Sequence, residues 1–156
     1  MTDLSKASEQ DTFLSEIADI LKVEEGAIIE NGRHVLYKDH LGFDTIGYGR
    51  LVDRKKKGAG ISEEEAEYLL DSDILNMMDE LDDRLKWWRT LPINPRKALV
   101  LQAFQLGVPT LMQFSNQLEA MENKQFDLAA EHALKSRWHE QTPARAKRVA
   151  EMIRDV

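Results

Sequence analysis

The sequence has no cysteine, and its 156 residues include only four prolines and eight glycines. Without cysteine, disulfide bonds, thiolate nucleophiles and cysteine-ligated zinc sites are excluded. No apolar run approaches the ~20 residues of a membrane-spanning helix, and the segment MTDLSKASEQDTF lacks the apolar stretch of a signal peptide. We therefore expect one domain that folds in a reducing cytoplasm, with no membrane insertion and a separate release route to any outside target.

Positive charge is also scarce, since 21 Lys and Arg residues stand against 28 Asp and Glu residues, for a formal net charge of −7. Nucleic-acid-binding domains carry concentrated positive charge, and this chain has its acidic excess in the first half. The short run DRKKKG at 53–58 is typical of a solvated loop. The composition therefore predicts no nucleic-acid partner.

Several catalytic classes lack their residues. The four histidines are scattered, with no pair at the i, i+4 spacing of a zinc protease, and no GxSxG motif is present. The glycines of GFDTIGYG are not followed directly by a helix, as a phosphate loop would be. We therefore predict no metal site and no cofactor, which leaves carboxylates as the candidate catalytic groups.

Most of the chain has the apolar spacing of amphipathic helices. Residues 1–10 are polar and predict a loose extension, followed by a helix that ends before Gly26. A long helix is predicted over 62–86 with Ser62 as its N-cap, and shorter helices over 91–156.

The segment from 24 to 61 has a different pattern, which predicts a small β region. Asn31-Gly32 stands between short apolar arms, a strong hairpin signal. The stretch DHLGFDTIGYG then predicts a second turn and another strand, with Asp39 on one arm and Thr45 on the other.

Glu25 and Asp39 form a candidate pair of catalytic carboxyls, because Glu25 ends the first predicted helix where the β region with Asp39 begins. Glycosidases use two such groups, one as general acid and one as general base. With 28 acidic residues, however, many pairs could be nominated. The residue pattern alone leaves open that both are ordinary surface carboxylates.

A family resemblance adds to this reading. Four stretches resemble, in order, the phage-type lysozymes, the muramidases of T-even phages and their relatives: EEG at 24–26, YKDHLGFDTIGYGRL at 37–51, AFQLG at 103–107 and KSRWHEQTPARAKRV at 135–149. The resemblance implies a mostly helical α+β fold of two lobes, lysozyme-like, in one catalytic domain over 11–156. Its parts would be a small β-hairpin lobe at about 24–61, a connecting helix at about 62–86 and a helical lobe at about 91–156.

The resemblance also implies a catalytic site of Glu25, Asp39 and Thr45. Glu25 would protonate the departing glycosidic oxygen, Asp39 would deprotonate a water molecule on the opposite face of the sugar, and Thr45 would help to position that water. The implied substrate-binding residues are Leu51, Phe104, Gln105, Gln117 and His132, although the family usually has Ser and Asn at the last two positions.

Four supporting residues complete the prediction. Arg145 is expected to pair with Glu25, and Trp138 either packs in the core or stacks on sugar. Arg50 stands where the family has histidine, and we expect it to form a salt bridge with Asp73.

The implied activity is hydrolysis of the β-1,4 bond between N-acetylmuramic acid and N-acetylglucosamine in peptidoglycan, with inversion, by a monomeric phage or prophage endolysin. Such a protein would stay in the host cytoplasm until its release to the cell wall. Two departures from the family are a longer segment from Gly26 to Tyr37 and a shorter one from Val52 to Ile61. A lytic transglycosylase, or a non-catalytic cell-wall-binding or phage structural module, stays open as an alternative.

Overall fold

The structure is a computed structural model, and it describes residues 4–53 and 60–156. Most of the described residues are helical, and five short strands lie close together in the chain. This confirms the predicted α+β class. The chain divides into two compact units, Met1–Ala66 and Glu67–Val156. No described helix is long and apolar enough to cross a bilayer.

The first unit begins with helix α1, Leu4–Glu25. This corrects the prediction of a loose extension over 1–10, since the helix already includes its residues from Leu4 onward. The segment LSKASEQ has no apolar period but contains several good helix formers, so its composition is compatible with the observed helix. At the other end Gly26 has a φ of +65° and donates its N–H to the Lys22 carbonyl, as a helix-terminating glycine does.

Five strands follow in two antiparallel sheets. They are β1 Ile29–Glu30, β2 Arg33–His34, β3 Tyr37–Lys38, β4 Asp44–Ile46 and β5 Arg50–Leu51. β1 pairs with β2 across Asn31 and Gly32, which both have positive φ values, as the predicted Asn-Gly hairpin turn requires. β3, β4 and β5 form a three-stranded sheet in chain order.

Helix α2, Glu63–Arg84, runs from the first unit into the second. The Ser62 hydroxyl accepts the N–H of Glu65 at 3.1 Å and donates to its carboxylate at 3.2 Å, so the predicted N-cap is confirmed. Three glutamates occupy the first turn, where the helix dipole favours negative charge.

The second unit is a helical bundle. After a short 3-10 turn it contains α3 Ile93–Leu106, α4 Val108–Leu111, α5 Ser115–Glu122, α6 Phe126–Leu134, α7 Arg137–Gln141 and α8 Pro143–Arg154. Helix α8 packs against both α3 and α6, and α5 packs against α6. The core includes Trp88, Leu99, Leu111, Met121 and Ile153. Helix α3 supplies several of its fully buried residues, because its sequence is apolar on most sides.

Candidate active site

Asp39 begins the loop that joins β3 to β4, and its side chain holds this loop in shape. The backbone N–H of Asp39 donates to the Phe43 carbonyl at 2.9 Å. Its carboxylate Oδ1 accepts the N–H groups of Leu41 at 2.9 Å and Phe43 at 2.8 Å. Within the described residues Oδ2 accepts no hydrogen bond from the protein. The carboxylate is therefore oriented through one oxygen, and the other is available to water or substrate.

Thr45 lies in the middle strand of the three-stranded sheet. It is paired directly with Tyr37 on one side and Leu51 on the other, so the three side chains share one face. Thr45 is only 1% exposed, and its hydroxyl donates to the Phe43 carbonyl at 3.0 Å. The same carbonyl accepts the N–H of Asp39, so Thr45 supports the loop that carries the carboxylate. The Thr45 hydroxyl is buried in the structure. Its expected contact with the reacting water stays a prediction.

The neighbouring acid, Asp44, is engaged differently. Its carboxylate forms an ion pair with Lys38 at 2.5 Å, across the β3–β4 pairing. Since its charge is already paired, Asp44 is a weaker candidate for a base than Asp39.

Glu25 is the last residue of α1, and its side chain lies directly over Gly49 at the end of the β4–β5 turn. A methyl group added at Gly49 would lie 2.6 Å from Glu25 Oε2 and 2.9 Å from its Cδ. Gly49 also has a φ of +77°, a conformation that other residues rarely adopt. Glycine at this position therefore serves both the backbone and the close approach of the carboxyl group.

The first unit thus brings the three predicted catalytic residues to one small structure. Glu25 contacts the turn before β5, Thr45 pairs with β5 at Leu51, and Asp39 closes the loop before β4. Leu51, a predicted substrate contact, is half-buried on the same face of the sheet as Thr45. Among the described residues no group of three or more histidines and carboxylates could hold a metal ion.

In the second unit, Gln105 and Trp138 form a fixed network. The indole Nε1 of Trp138 donates to Gln105 Oε1 at 2.9 Å, and Gln105 Nε2 donates to the Thr142 hydroxyl at 3.3 Å. Trp138 is 3% exposed and meets Phe114 edge to face. Of the two predicted roles for Trp138, the structure shows packing.

Phe104 is 41% exposed, so its ring is accessible for the predicted substrate contact.

A polar pocket of about 420 Å³ lies between the start of α5 and the end of α6. It brings together Gln117 and His132, two of the predicted substrate-binding residues. Asn116 and Lys135 also line it, and sequence reasoning did not select them. Lys135 begins the KSRW stretch that carries the family resemblance, which was the one signal that could have indicated it.

The Gln117 amide is paired in the core, and the expected contact of Gln117 with substrate stays a prediction. Gln117 is 1% exposed, and its amide exchanges two hydrogen bonds with that of Gln102, at 2.6 and 3.0 Å. The side chain contributes to the pocket wall, but its polar atoms are committed to the core. A buried amide that already has a partner would leave that partner unsatisfied if it turned to a sugar.

The remaining supporting residues are placed as follows. Arg50 forms an ion pair with Glu65, whereas the sequence prediction paired it with Asp73. Asp73 belongs to the second unit, and its pairing with Arg50 stays a prediction. Arg145 is exposed on α8 of the second unit, so its pairing with Glu25 also stays a prediction.

A mostly helical α+β chain, with a helix-terminal glutamate beside a glycine-rich sheet that carries aspartate and threonine, has the features of a lysozyme-like glycoside hydrolase. The family model described as phage lysozyme matches residues 27–154, and the chain belongs to this family. It is a glycoside hydrolase of the muramidase type, a peptidoglycan hydrolase, which confirms the predicted family, fold and enzyme class.

Individual relatives agree with this assignment. The chain is 30% identical to probable T4-type lysozyme 1 of Dictyostelium discoideum, over 90% of this chain and 95% of the relative. Probable T4-type lysozyme 2 of the same organism is 29% identical, over 88% and 92%. The pre-baseplate central spike protein Gp5 of Enterobacteria phage T4 is 27% identical, over 96% of this chain but 29% of that protein. Glu25 lies just before the range of the family model, so its role depends on the geometry at Gly49.

Proposed function

We propose that the protein hydrolyses the β-1,4 bond between N-acetylmuramic acid and N-acetylglucosamine in peptidoglycan, with inversion at the anomeric carbon. The observation that supports this most directly is the pair of differently held carboxyls in the first unit. The Glu25 carboxyl lies against Gly49, and Asp39 is oriented through Oδ1 with Oδ2 unused by the described protein groups.

In this reaction Glu25 donates its proton to the glycosidic oxygen as the bond to the anomeric carbon breaks. A water molecule attacks that carbon from the opposite face, and Asp39 Oδ2 takes a proton from it. Inversion requires the two carboxyls to be ~6.5–9.5 Å apart, which leaves room for the water. Exchange with solvent then restores the acid and the base.

The support for Asp39 as base comes from the hydrogen bonds in its own loop. Two backbone N–H groups fix one oxygen, so the carboxylate does not have to be ordered at the moment of reaction. Thr45 contributes by donating to the Phe43 carbonyl, which holds the same loop. A lytic transglycosylase would have no use for a water-activating carboxylate prepared in this way.

In the cell, the proposed role is that of a phage or prophage endolysin in host lysis. The protein would act as a monomer, stay in the host cytoplasm and reach the wall by a separate release route. The similarity to part of the spike protein Gp5 supports a second candidate, a wall-degrading module of a phage particle. In both roles the substrate is bacterial peptidoglycan.

Digestion of purified sacculi, with mass analysis of the products, tests the reaction. Hydrolysis gives new reducing ends and muropeptides that have gained one water, whereas a transglycosylase gives anhydromuramyl ends. The anomer that forms first, observed by NMR on soluble glycan strands, distinguishes inversion from retention. Binding to sacculi without any cleavage would contradict the proposal and support a non-catalytic module.

Two matched variants test the acid. Glu25→Gln should remove nearly all activity while the protein stays folded. Glu24→Gln changes the exposed residue beside it and should keep the parent rate. If Glu25→Gln retained half the rate, Glu25 would not be the general acid.

A further inference from the structure

The last turn of α1 contacts the β4–β5 turn at two adjacent points. Lys22 Nζ lies 5.6 Å from the centre of the Tyr48 ring, and Glu25 lies against Gly49. Lys22 and Glu25 are three residues apart in the helix, so they share one face. Tyr48 and Gly49 are consecutive, so the end of the helix and the turn meet along a short line.

A third element supports the same tyrosine. The His34 ring on β2 meets the Tyr48 ring edge to face, with centroids 4.9 Å apart and planes at 71°. This is a favourable aromatic geometry. His34 belongs to the β1–β2 hairpin, where it pairs with Ile29.

The β4–β5 turn has a glycine on each side of Tyr48. Tyr48 stands between Gly47 and Gly49, which have φ values of +64° and +77°. Glycine has more conformational freedom than any other residue, so contacts of the central side chain restrict a Gly-x-Gly turn. Tyr48 supplies that central side chain, and its ring contacts among residues 4–53 and 60–156 come from two different elements.

We propose that Tyr48, held by His34 and Lys22, is a positioning residue for Glu25. It fixes the Gly49 backbone, and Gly49 in turn fixes the carboxyl that contacts it. The inference rests on the proposed function, in which Glu25 is the general acid. Glu25 is exposed, and a flexible glutamate without this support would sample several rotamers. Small misplacements of a reacting group lower the rate strongly, by about 10²-fold for ~1 Å.

The test measures kcat and KM separately on soluble, uncross-linked glycan strands. Tyr48→Ala should lower kcat by roughly ten- to hundred-fold with KM nearly unchanged, because the acid is displaced while sugar binding persists. Tyr48→Phe should restore kcat to within about twofold of the parent, because the ring contacts remain. Tyr68→Ala removes another exposed tyrosine, from α2, and should change neither constant.

His34→Ala provides a second route that does not depend on how Tyr48→Ala folds, because His34 is exposed. It should lower kcat in the same direction, and its effect should disappear in a Tyr48→Ala background, since both act through one ring.

Three results would overturn the inference. One is an unchanged kcat in Tyr48→Ala and His34→Ala despite lower melting temperatures. Another is a rise in KM at constant kcat, which would make Tyr48 a substrate contact. The third is failure of Tyr48→Phe to restore the rate. These three results would leave the proposed function intact. An inactive parent protein would contradict the proposed function itself.

Discussion

The carboxyl group of Glu25 lies so close to Gly49 that no other residue could replace this glycine without moving the acid. Gly47, in the same turn, has a similar positive φ, but no atom of the described residues lies within 4 Å of a methyl group added there. Substitutions at the two glycines therefore distinguish the effect of backbone strain from the effect of crowding the Glu25 carboxyl.

Gly49→Ala should reduce hydrolysis of glycan strands at least about tenfold, because the new methyl group displaces the Glu25 carboxyl. Gly47→Ala is the control. Both variants should lose stability by about 1 kcal/mol in urea unfolding, since each forces alanine into a positive φ. Equal losses of activity in the two variants would show that strain in the turn, rather than contact with Glu25, decides the rate.

Two variants distinguish the contribution of the Thr45 hydroxyl from that of the Thr45 methyl group. Thr45→Val removes the hydrogen bond to the Phe43 carbonyl, and Thr45→Ser keeps it. Each change should lower the free energy of unfolding by about 1 kcal/mol. We expect activity to fall clearly more in Thr45→Val, because the carbonyl that it releases also closes the Asp39 loop. If the loss of rate were proportional to the loss of stability in both variants, the hydroxyl would have no specific role in activity.

The buried amide pair predicts a strong double-mutant effect. Gln102→Leu or Gln117→Leu alone leaves the other amide unpaired in the core, which should cost about 1–3 kcal/mol of unfolding free energy. The double variant should recover most of this loss, because no polar group is then left unsatisfied. Chemical unfolding of all four proteins measures the coupling, and additive losses would contradict the pairing.

Stability at acid pH should depend on Asp82. Hydrogen bonds from Arg89, and then from Trp88, lower the pKa of the Asp82 carboxyl from its ordinary value of 3.8. A lowered folded-state pKa contributes stability above pH 3.8, and this contribution is lost as the pH falls through the folded value. Asp82→Asn should therefore flatten the loss of stability below about pH 4. Thermal melts between pH 2 and 7, with Asp83→Asn as control, measure this difference.

Local sequence signals predicted the local structure well. The Asn31-Gly32 turn, the end of α1 at Gly26 and the Ser62 cap each depend on residues within one turn of the chain. The start of α1 was missed because polar helix formers at its beginning carry no apolar period.

Partners that are distant in sequence were harder to predict. The family motif indicated Glu25, Asp39 and Thr45, but no pattern in the chain indicated that Gln102 and Gln117 would pair in the core. The ion pair of Arg50 with Glu65 was also missed, because the sequence prediction followed the family pattern and paired Arg50 with Asp73. The way in which helices and strands pack decides which of these distant side chains become partners.

The position of the unit boundary inside α2 affects how the protein can unfold. The N-cap and the three glutamates that favour the start of this helix belong to the first unit, while most of its length belongs to the second. A chain cut after Ala66 would give the second unit a helix without its cap, at a cost of ~1 kcal/mol. Melting of the first unit would also remove this cap, because the start of α2 belongs to that unit. We therefore expect the two units to unfold with partial cooperativity.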